Sequence, residues 1–228
     1  KAILPVHLAG RTTDMGALKN IADATGAKLI EDACHALGSR SKVNGVSKSV
    51  GSCAQSSMAC FSFHPVKTIA SGEGGMVTTN DPALAAKLRL ARAHGLTRSP
   101  DDFVRSDAAF DGGAVNPWYY EQMGLGYNYR LPDILCALGE SQLAKLERFA
   151  TRRAALAARY EAGLLNFSPL VKGVPNPPDC EPTLHLFVVL IDFEAVGLSR
   201  REVMDALKAR GIGTQVHYIP VPEQPYYQ

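Results

Sequence analysis

Charge of one sign is scarce in this sequence. Lys and Arg number 24 against 22 Asp and Glu, a net charge of +2. That balance predicts no strong attraction to nucleic acid or to a membrane surface. No apolar run approaches the length of a membrane span. Cysteine is sparse too: Cys34, Cys53, Cys60, Cys136 and Cys180 are scattered, with no Cys-x-x-Cys. No disulfide framework or structural zinc is therefore expected; buried free thiols in a reducing cytosol are. The 6 histidines include no His-x-x-x-His pair, so no metal site is expected. There is no internal repeat and no low-complexity tract. The first residues, Ala2 to His7, already read as a strand, so no export signal is expected.

What is present is ordinary globular composition. The chain has 228 residues, 46% apolar and 20% charged, enough for one large or two small domains with a sizeable core. Residues 1–80 alternate between strand and helix signals. Ala2 to Val6 reads as a strand. Asp14 caps a helix that Gly26 stops. Lys28-Leu29-Ile30 is a strand ending at Glu31-Asp32. Met58 to Phe63 and Gly75 to Thr79 are two more. Such alternation implies an α/β fold, a mostly parallel sheet flanked by helices, with functional residues at the strand ends.

Asp81-Pro82 opens the next helix. Residues 96–127 lack periodicity, and loops of that length in a compact domain are usually functional. Pro132 begins a helical stretch reaching about Leu165, with Leu135, Leu138, Leu143 and Leu146 as an approximate stripe. Residues 168–183 read as a connector. Leu184 to Ile191 reads as a strong strand, Ser199 and Glu202 as a capping box, and Thr214 to Tyr218 as a returning strand. The domain boundary is expected near residue 130. Residues 1–130 form the larger α/β part. Residues 131–228 form a connecting helix and a small α+β C-terminal domain.

Chemistry concentrates at two strand ends. One delivers Asp32. The other delivers Ser62, His64 and Lys67 within Phe61-Ser62-Phe63-His64-Pro65-Val66-Lys67. A lysine to hold an aldehyde and a carboxylate to partner a pyridinium nitrogen are what a pyridoxal phosphate enzyme requires. The following Gly72-Glu73-Gly74-Gly75 has neither Walker spacing nor Gly-x-Gly-x-x-Gly. These glycines are expected to permit a tight turn beside Lys67.

These segments resemble the DegT/DnrJ/EryC1/StrS sugar aminotransferases, which are fold-type I pyridoxal phosphate enzymes. Three further stretches carry the likeness: Glu31-Asp32-Ala33, Leu125-Gly126-Tyr127-Asn128-Tyr129-Arg130-Leu131, and Gly211-Ile212-Gly213-Thr214-Gln215-Val216-His217-Tyr218. Asp32-Ala33-Cys34-His35-Ala36, the Lys67 run and Pro117-Trp118-Tyr119-Tyr120 look most like the pseudaminic acid branch. Against the family pattern, a front portion of the large domain and a C-terminal tail are missing, so the chain reads as a fragment.

The resemblance implies pyridoxal 5′-phosphate as cofactor and Lys67 as the catalytic lysine. It implies Asp32 on the ring nitrogen, His35 on the phenolic oxygen, and Ser62 on the phosphate. Asn128 is implied to contact the phosphate of a neighbouring subunit, which makes a homodimer with a shared active site. Gln215, His217 and Tyr218, with Asn128, are implied to contact substrate. The implied reaction moves an amino group from L-glutamate to C4 of a UDP-linked 4-keto-6-deoxy-N-acetyl sugar. Each residue also has a plainer reading: Asp32 as a helix N-cap, His35 as a satisfied half-buried histidine, Asn128 as a turn residue, and Gln215, His217 and Tyr218 as core strand. Glu31 is expected to be structural. Three alternatives stand beside the main reading. One is another nucleotide-linked keto sugar. One is a non-catalytic fragment or sensor. The third is a dehydratase of the same fold, which carries histidine where Lys67 stands.

Overall fold

Pro5 interrupts the first strand. The structure, a computed structural model, describes residues 1–228. Strand β1 (Ala2–Ile3) covers only the first half of the expected Ala2–Val6 strand. Proline has no amide hydrogen, so the ladder stops and resumes as a single parallel bridge between Val6 and Asp32. Helix α1 (Met15–Thr25) follows, with the Asp14 side chain accepting the Ala17 N–H and Gly26 left-handed at its end. Its Met15 and Ala22 pack on Leu29, joined by Leu18 and Ile3.

Next come β2 (Lys28–Asp32), the hairpin β3 (Arg40–Val43) and β4 (Val46–Ser49), then β5 (Met58–Ser62) and β6 (Gly75–Thr78). The main sheet has the order β1-β2-β5-β6. β1, β2 and β5 are parallel; β6 is antiparallel to β5. Asp32 stands opposite Cys60, and Ser62 opposite Gly75. Both parallel strands therefore end at the same end of the sheet, just where Asp32 and Ser62 stand. Behind them Ala33, Cys53, Ala59 and Phe61 form a core cluster with Leu37, Val50 and Phe63.

Helix α2 (Pro82–Arg92) is capped by Asp81, whose side chain accepts two backbone N–H groups. The aperiodic stretch that follows is ordered. It holds β7 (Leu96–Thr97), α3 (Ser106–Ala109), β8 (Phe110–Asp111), β9 (Ala114–Val115) and β10 (Glu121–Gln122). Glu121 organises it. Its carboxylate accepts the Val104 and Arg105 N–H groups, each at 2.8 Å, and the Tyr119 hydroxyl at 2.9 Å. Those donors hold its carboxyl below the usual glutamate range.

The expected long helix is two helices, α4 (Asp133–Leu143) and α5 (Leu146–Leu164). Between them the turn tightens, with Lys145 N–H bonding back to Gln142 C=O at 2.9 Å. The expected connector holds two short strands, β11 (Val171–Gly173) and β12 (Cys180–Glu181), the latter antiparallel to β3. The expected Leu184–Ile191 strand is a second correction. Only β13 (Val189–Ile191) forms, antiparallel to β11. Thr183 to His185 spend their backbone groups singly instead: Thr183 N–H goes to the Ser39 hydroxyl and His185 N–H to Ala9 C=O.

Helices α6 (Phe193–Val196) and α7 (Arg200–Ala209) come last, the latter opened by the expected Ser199–Glu202 capping box. Thr214 to Tyr218 is not a strand; it pairs with no neighbour and is exposed. The chain forms two compact units. One comprises Lys1–Arg159 and Pro175–Phe187 and holds the main sheet. The other comprises Tyr160–Val174 and Val188–Gln228 and holds the β11–β13 ladder, α6 and α7. No helix is long and apolar enough to cross a membrane.

Candidate active site

Successive strand residues point to opposite faces, and β2 uses this to separate two carboxylates. Glu31 turns into the protein, 5% exposed. His7, fully buried, donates from Nε2 to its Oε2 at 2.9 Å, and the Ser56 hydroxyl donates to its other oxygen. His7 Nδ1 accepts the Thr13 N–H at 3.2 Å, so the ring carries its proton on Nε2. This satisfied pair is structural, as expected for Glu31.

Asp32 turns the other way and is half-buried. Its backbone is held on both sides, with its N–H on Pro5 C=O at 2.9 Å and its C=O accepting the His7 N–H at 3.0 Å. Its Oδ1 accepts the Cys34 N–H at 3.1 Å. The segment after Asp32 is a series of turns, so it caps no helix and shares no helical face with His35. His35 is aimed by other means. Its Nδ1 accepts the Ala9 N–H at 3.3 Å, and its ring lies 4.5 Å from that of His185.

Cys34 reports the electrostatics. Burial first, then the hydrogen bond and negative charge of Asp32, push its thiol from 9.0 up to about 12. The Lys67 ammonium pulls the other way. Asp32 and Lys67 therefore act on one neighbourhood, beyond the ends of β2 and β5. The thiol beside them stays neutral and does not compete with an amine for an electrophile.

Lys67 stands on a pinned loop. Phe63 N–H bonds to Gly74 C=O at 2.8 Å, and Phe63 C=O accepts the Ser71 N–H at 3.0 Å. Lys67 N–H bonds to His64 C=O at 2.9 Å, which closes a turn. The Ser62 hydroxyl accepts the His64 N–H at 3.4 Å. Gly74 sits at φ +146°, a conformation that L side chains rarely adopt, and a Cβ there would also crowd the Leu131 and Ser71 side chains.

Asp32 and Ser62 thus stand at the C-terminal ends of the two central strands, with Lys67 in the loop after β5 and His35 in the turns after Asp32. Asn128 stands apart, exposed, bridged to Ala93 in the strip that also pairs Tyr127 and Tyr129 with Ala91 and Arg92. Gln215, His217 and Tyr218 belong to the other compact unit and are exposed, with the His217 and Tyr218 rings stacked at 4.2 Å. Sequence reasoning missed His185 and Ala9. A histidine inside the apolar run Leu184-His185-Leu186 was the available signal for the first; nothing local marks the second.

The donor set suits pyridoxal 5′-phosphate: a carboxylate for a cationic ring nitrogen, a hydroxyl for a phosphate and an amine for an aldehyde. No group of three or more His, Cys, Asp or Glu side chains is arranged to hold a metal ion.

The sequence pattern of the DegT/DnrJ/EryC1/StrS aminotransferase family matches residues 1–228. The spore coat polysaccharide biosynthesis protein SpsC of Bacillus subtilis (strain 168) is 35% identical over 229 residues, covering 100% of this chain and 55% of SpsC. DesV of S. venezuelae, solved in complex with a ketimine intermediate, superposes with a TM-score of 0.79 at 35% identity, covering 100% of this chain and 53% of DesV. Helicobacter pylori PseC, an aminotransferase involved in pseudaminic acid biosynthesis, superposes with a TM-score of 0.84 at 29% identity, covering 100% and 55%. The chain spans about half the length of these relatives.

Proposed function

The chain belongs to the DegT/DnrJ/EryC1/StrS aminotransferase family and has the fold of type I pyridoxal-phosphate-dependent enzymes; from that premise we propose that it serves a sugar-nucleotide aminotransferase. One observation carries the reading: Asp32 ends β2, and Lys67 lies in the pinned loop that leaves the adjacent parallel strand β5 at the same end of the sheet. Bound pyridoxal phosphate supplies an electron sink for charge developing at the donor's α-carbon.

The chain's own residues do the rest. Lys67 would hold the cofactor's aldehyde carbon and, once the amino-acid donor has displaced it, its freed amine would take and return the proton at the donor α-carbon. Asp32 makes a charge-assisted hydrogen bond that keeps the ring nitrogen protonated. His35 donates to the phenolic oxygen, and Ser62 binds the phosphate. Asn128 reaches the phosphate of a second subunit, so the active enzyme is a homodimer in the cytoplasm. Gln215, His217 and Tyr218 contact the sugar nucleotide. Residues 1–130 contribute part of the cofactor-binding large domain, and residues 131–228 the connecting helix and part of the small domain.

The donor is L-glutamate and the acceptor a UDP-linked 4-keto-6-deoxy-N-acetyl sugar of the pseudaminic acid type. The Asp32–Ala36 and Lys67 motifs and the likeness to PseC support that sugar. SpsC and DesV are more identical to the chain than PseC is, so a second reading, another nucleotide-linked keto sugar, stands beside the first. The test is an assay of the intact enzyme with glutamate against a panel of 4-keto and 3-keto nucleotide sugars. Amination of the UDP-linked 4-keto sugar with the highest kcat/KM supports the first reading. Preference for another keto sugar moves it to the second, and no amination of any removes both.

A further inference from the structure

His64 is absorbed by none of the roles above, yet it makes three bonds, two of them within the turn that carries Lys67. Its carbonyl accepts the Lys67 N–H at 2.9 Å. Its Nδ1 accepts the Val66 N–H at 3.3 Å. Its own N–H meets the Ser62 hydroxyl at 3.4 Å. On the far side, its Nε2 lies 3.8 Å from Glu73 Oε1, across the loop that Phe63, Ser71 and Gly74 close.

The Val66 contact assigns the tautomer. A backbone N–H donated to Nδ1 needs a lone pair there, so the hydrogen sits on Nε2. Nε2 faces a carboxylate, which favours that same tautomer. The imidazole then acts as a side-chain acceptor for an amide two residues on, the arrangement by which Asn and Asp stabilise turns. Pro65 fixes the residue between, since its ring locks φ. Val66 and Lys67 are thus held one after the other by the ring and the carbonyl of one residue.

We infer that His64 is a positioning residue: its Nδ1 and carbonyl hold the Pro65-Val66-Lys67 turn in the geometry that aims the Lys67 amine. This rests on the reading of Lys67 as the lysine that holds the cofactor. The role needs an acceptor at the Nδ1 position and no exchangeable proton, which separates it from acid–base chemistry. Asparagine places an oxygen in a comparable position; alanine places nothing.

The experiment compares His64→Ala and His64→Asn in the intact enzyme. In the cofactor-free protein, NMR hydrogen exchange at Val66 and Lys67 reads the turn directly. His64→Ala is expected to speed that exchange about fivefold by local opening, and His64→Asn to restore protection. In the loaded enzyme, His64→Ala lowers kcat about tenfold, the cost of a misplaced reacting group, with KM for glutamate little changed, and His64→Asn recovers most of the loss. Normal exchange and kcat in His64→Ala overturn the inference. So does a His64→Asn variant as slow as His64→Ala with its turn protected, because the imidazole would then act by more than accepting a hydrogen bond. Borohydride reduction and peptide mapping identify the cofactor-holding lysine independently. A label on a lysine other than Lys67 removes the reading of the site and this inference with it. A label on Lys67 beside an unimpaired His64→Ala removes only the role of His64.

Discussion

Ser39 joins Thr183 to Gly10. Its hydroxyl accepts the Thr183 N–H at 3.0 Å and donates to Gly10 C=O at 2.8 Å, and the serine is fully buried. Gly10 sits at φ +96°, and a Cβ there would lie 2.2 Å from Thr183 C=O. The neighbouring His185 then bonds through its N–H to Ala9, whose own N–H fixes His35. Arg153 holds the strip from outside, donating to Leu184 and His185 C=O. One buried hydroxyl thus ties Ser39 to Thr183, 144 positions away, and to the turn that aims His35.

Ser39→Ala is expected to destabilise the protein by about 1–3 kcal/mol, because it strands a buried amide and removes a donor from a buried carbonyl. Denaturant unfolding checks this. If the midpoint stays within error of wild type, Ser39 does not connect these segments in solution.

Lys67→Ala separates chemistry from packing. The side chain belongs to neither core cluster and is half-buried, so unfolding should shift by no more than about 0.5 kcal/mol. Turnover in the intact enzyme should be lost. Substantial residual transamination would strip Lys67 of its role.

Asp32→Asn makes two coupled predictions. At pH 8, four units below a pKa of about 12, the Cys34 thiolate is about one part in ten thousand. Alkylation of Cys34 should therefore lag far behind that of the exposed Cys136. Asp32 supplies two of the causes that raise the Cys34 pKa. Removing its charge lowers that pKa, raises the thiolate fraction, and should speed Cys34 labelling at unchanged pH. The same variant loses the carboxylate partner of the ring nitrogen and should lose about a hundredfold or more in kcat. Mass-spectrometric labelling rates and steady-state kinetics read the two arms. Faster labelling with unchanged kcat would keep Asp32 beside Cys34 but remove it from the reaction.

Local signals carried over to the structure where the chain satisfies itself nearby. Asp14 and Gly26 bound α1, and Ser199 with Glu202 open α7, because caps depend on residues three or four apart. Asp32 and Ser62 were legible as strand-end residues for the same reason. Apolar runs were less informative. Leu184 to Val188 reports burial, not strand formation, and the His185 amide found a single acceptor at Ala9. Thr214 to Tyr218 has strand composition and no strand to pair with. The break between α4 and α5 carries no Gly or Pro at Ala144-Lys145. The Asn44-Gly45 turn joining β3 and β4, with φ of 51° and 76°, is a local signal of the same kind as the caps. The aiming of His35 by Ala9 was not, since it depends on loops 26 residues apart meeting in space.

Gly126 gives access to Asn128 without touching it. The strip from Gly124 to Tyr129 lies against the end of α2: Tyr127 N–H bonds to Ala91 C=O, His94 N–H to Tyr127 C=O, and Tyr129 N–H to Arg92 C=O. A Cβ on Gly126 would fall 2.2 Å from Gly95 N and 2.7 Å from the His94 carbonyl carbon, backbone atoms that cannot step aside. Gly126→Ala must push the strip away and displace Asn128 from its bridge to Ala93. If Asn128 reaches the phosphate in a second subunit, the intact dimer should bind pyridoxal phosphate at least about tenfold more weakly, the loss of one charge-assisted hydrogen bond. Gly124→Ala is the control, because nothing lies within 4 Å of a Cβ there. Cofactor titration and native mass spectrometry of both variants make the comparison. Equal affinity in Gly126→Ala and Gly124→Ala, with both dimeric, would remove Asn128 from the phosphate site.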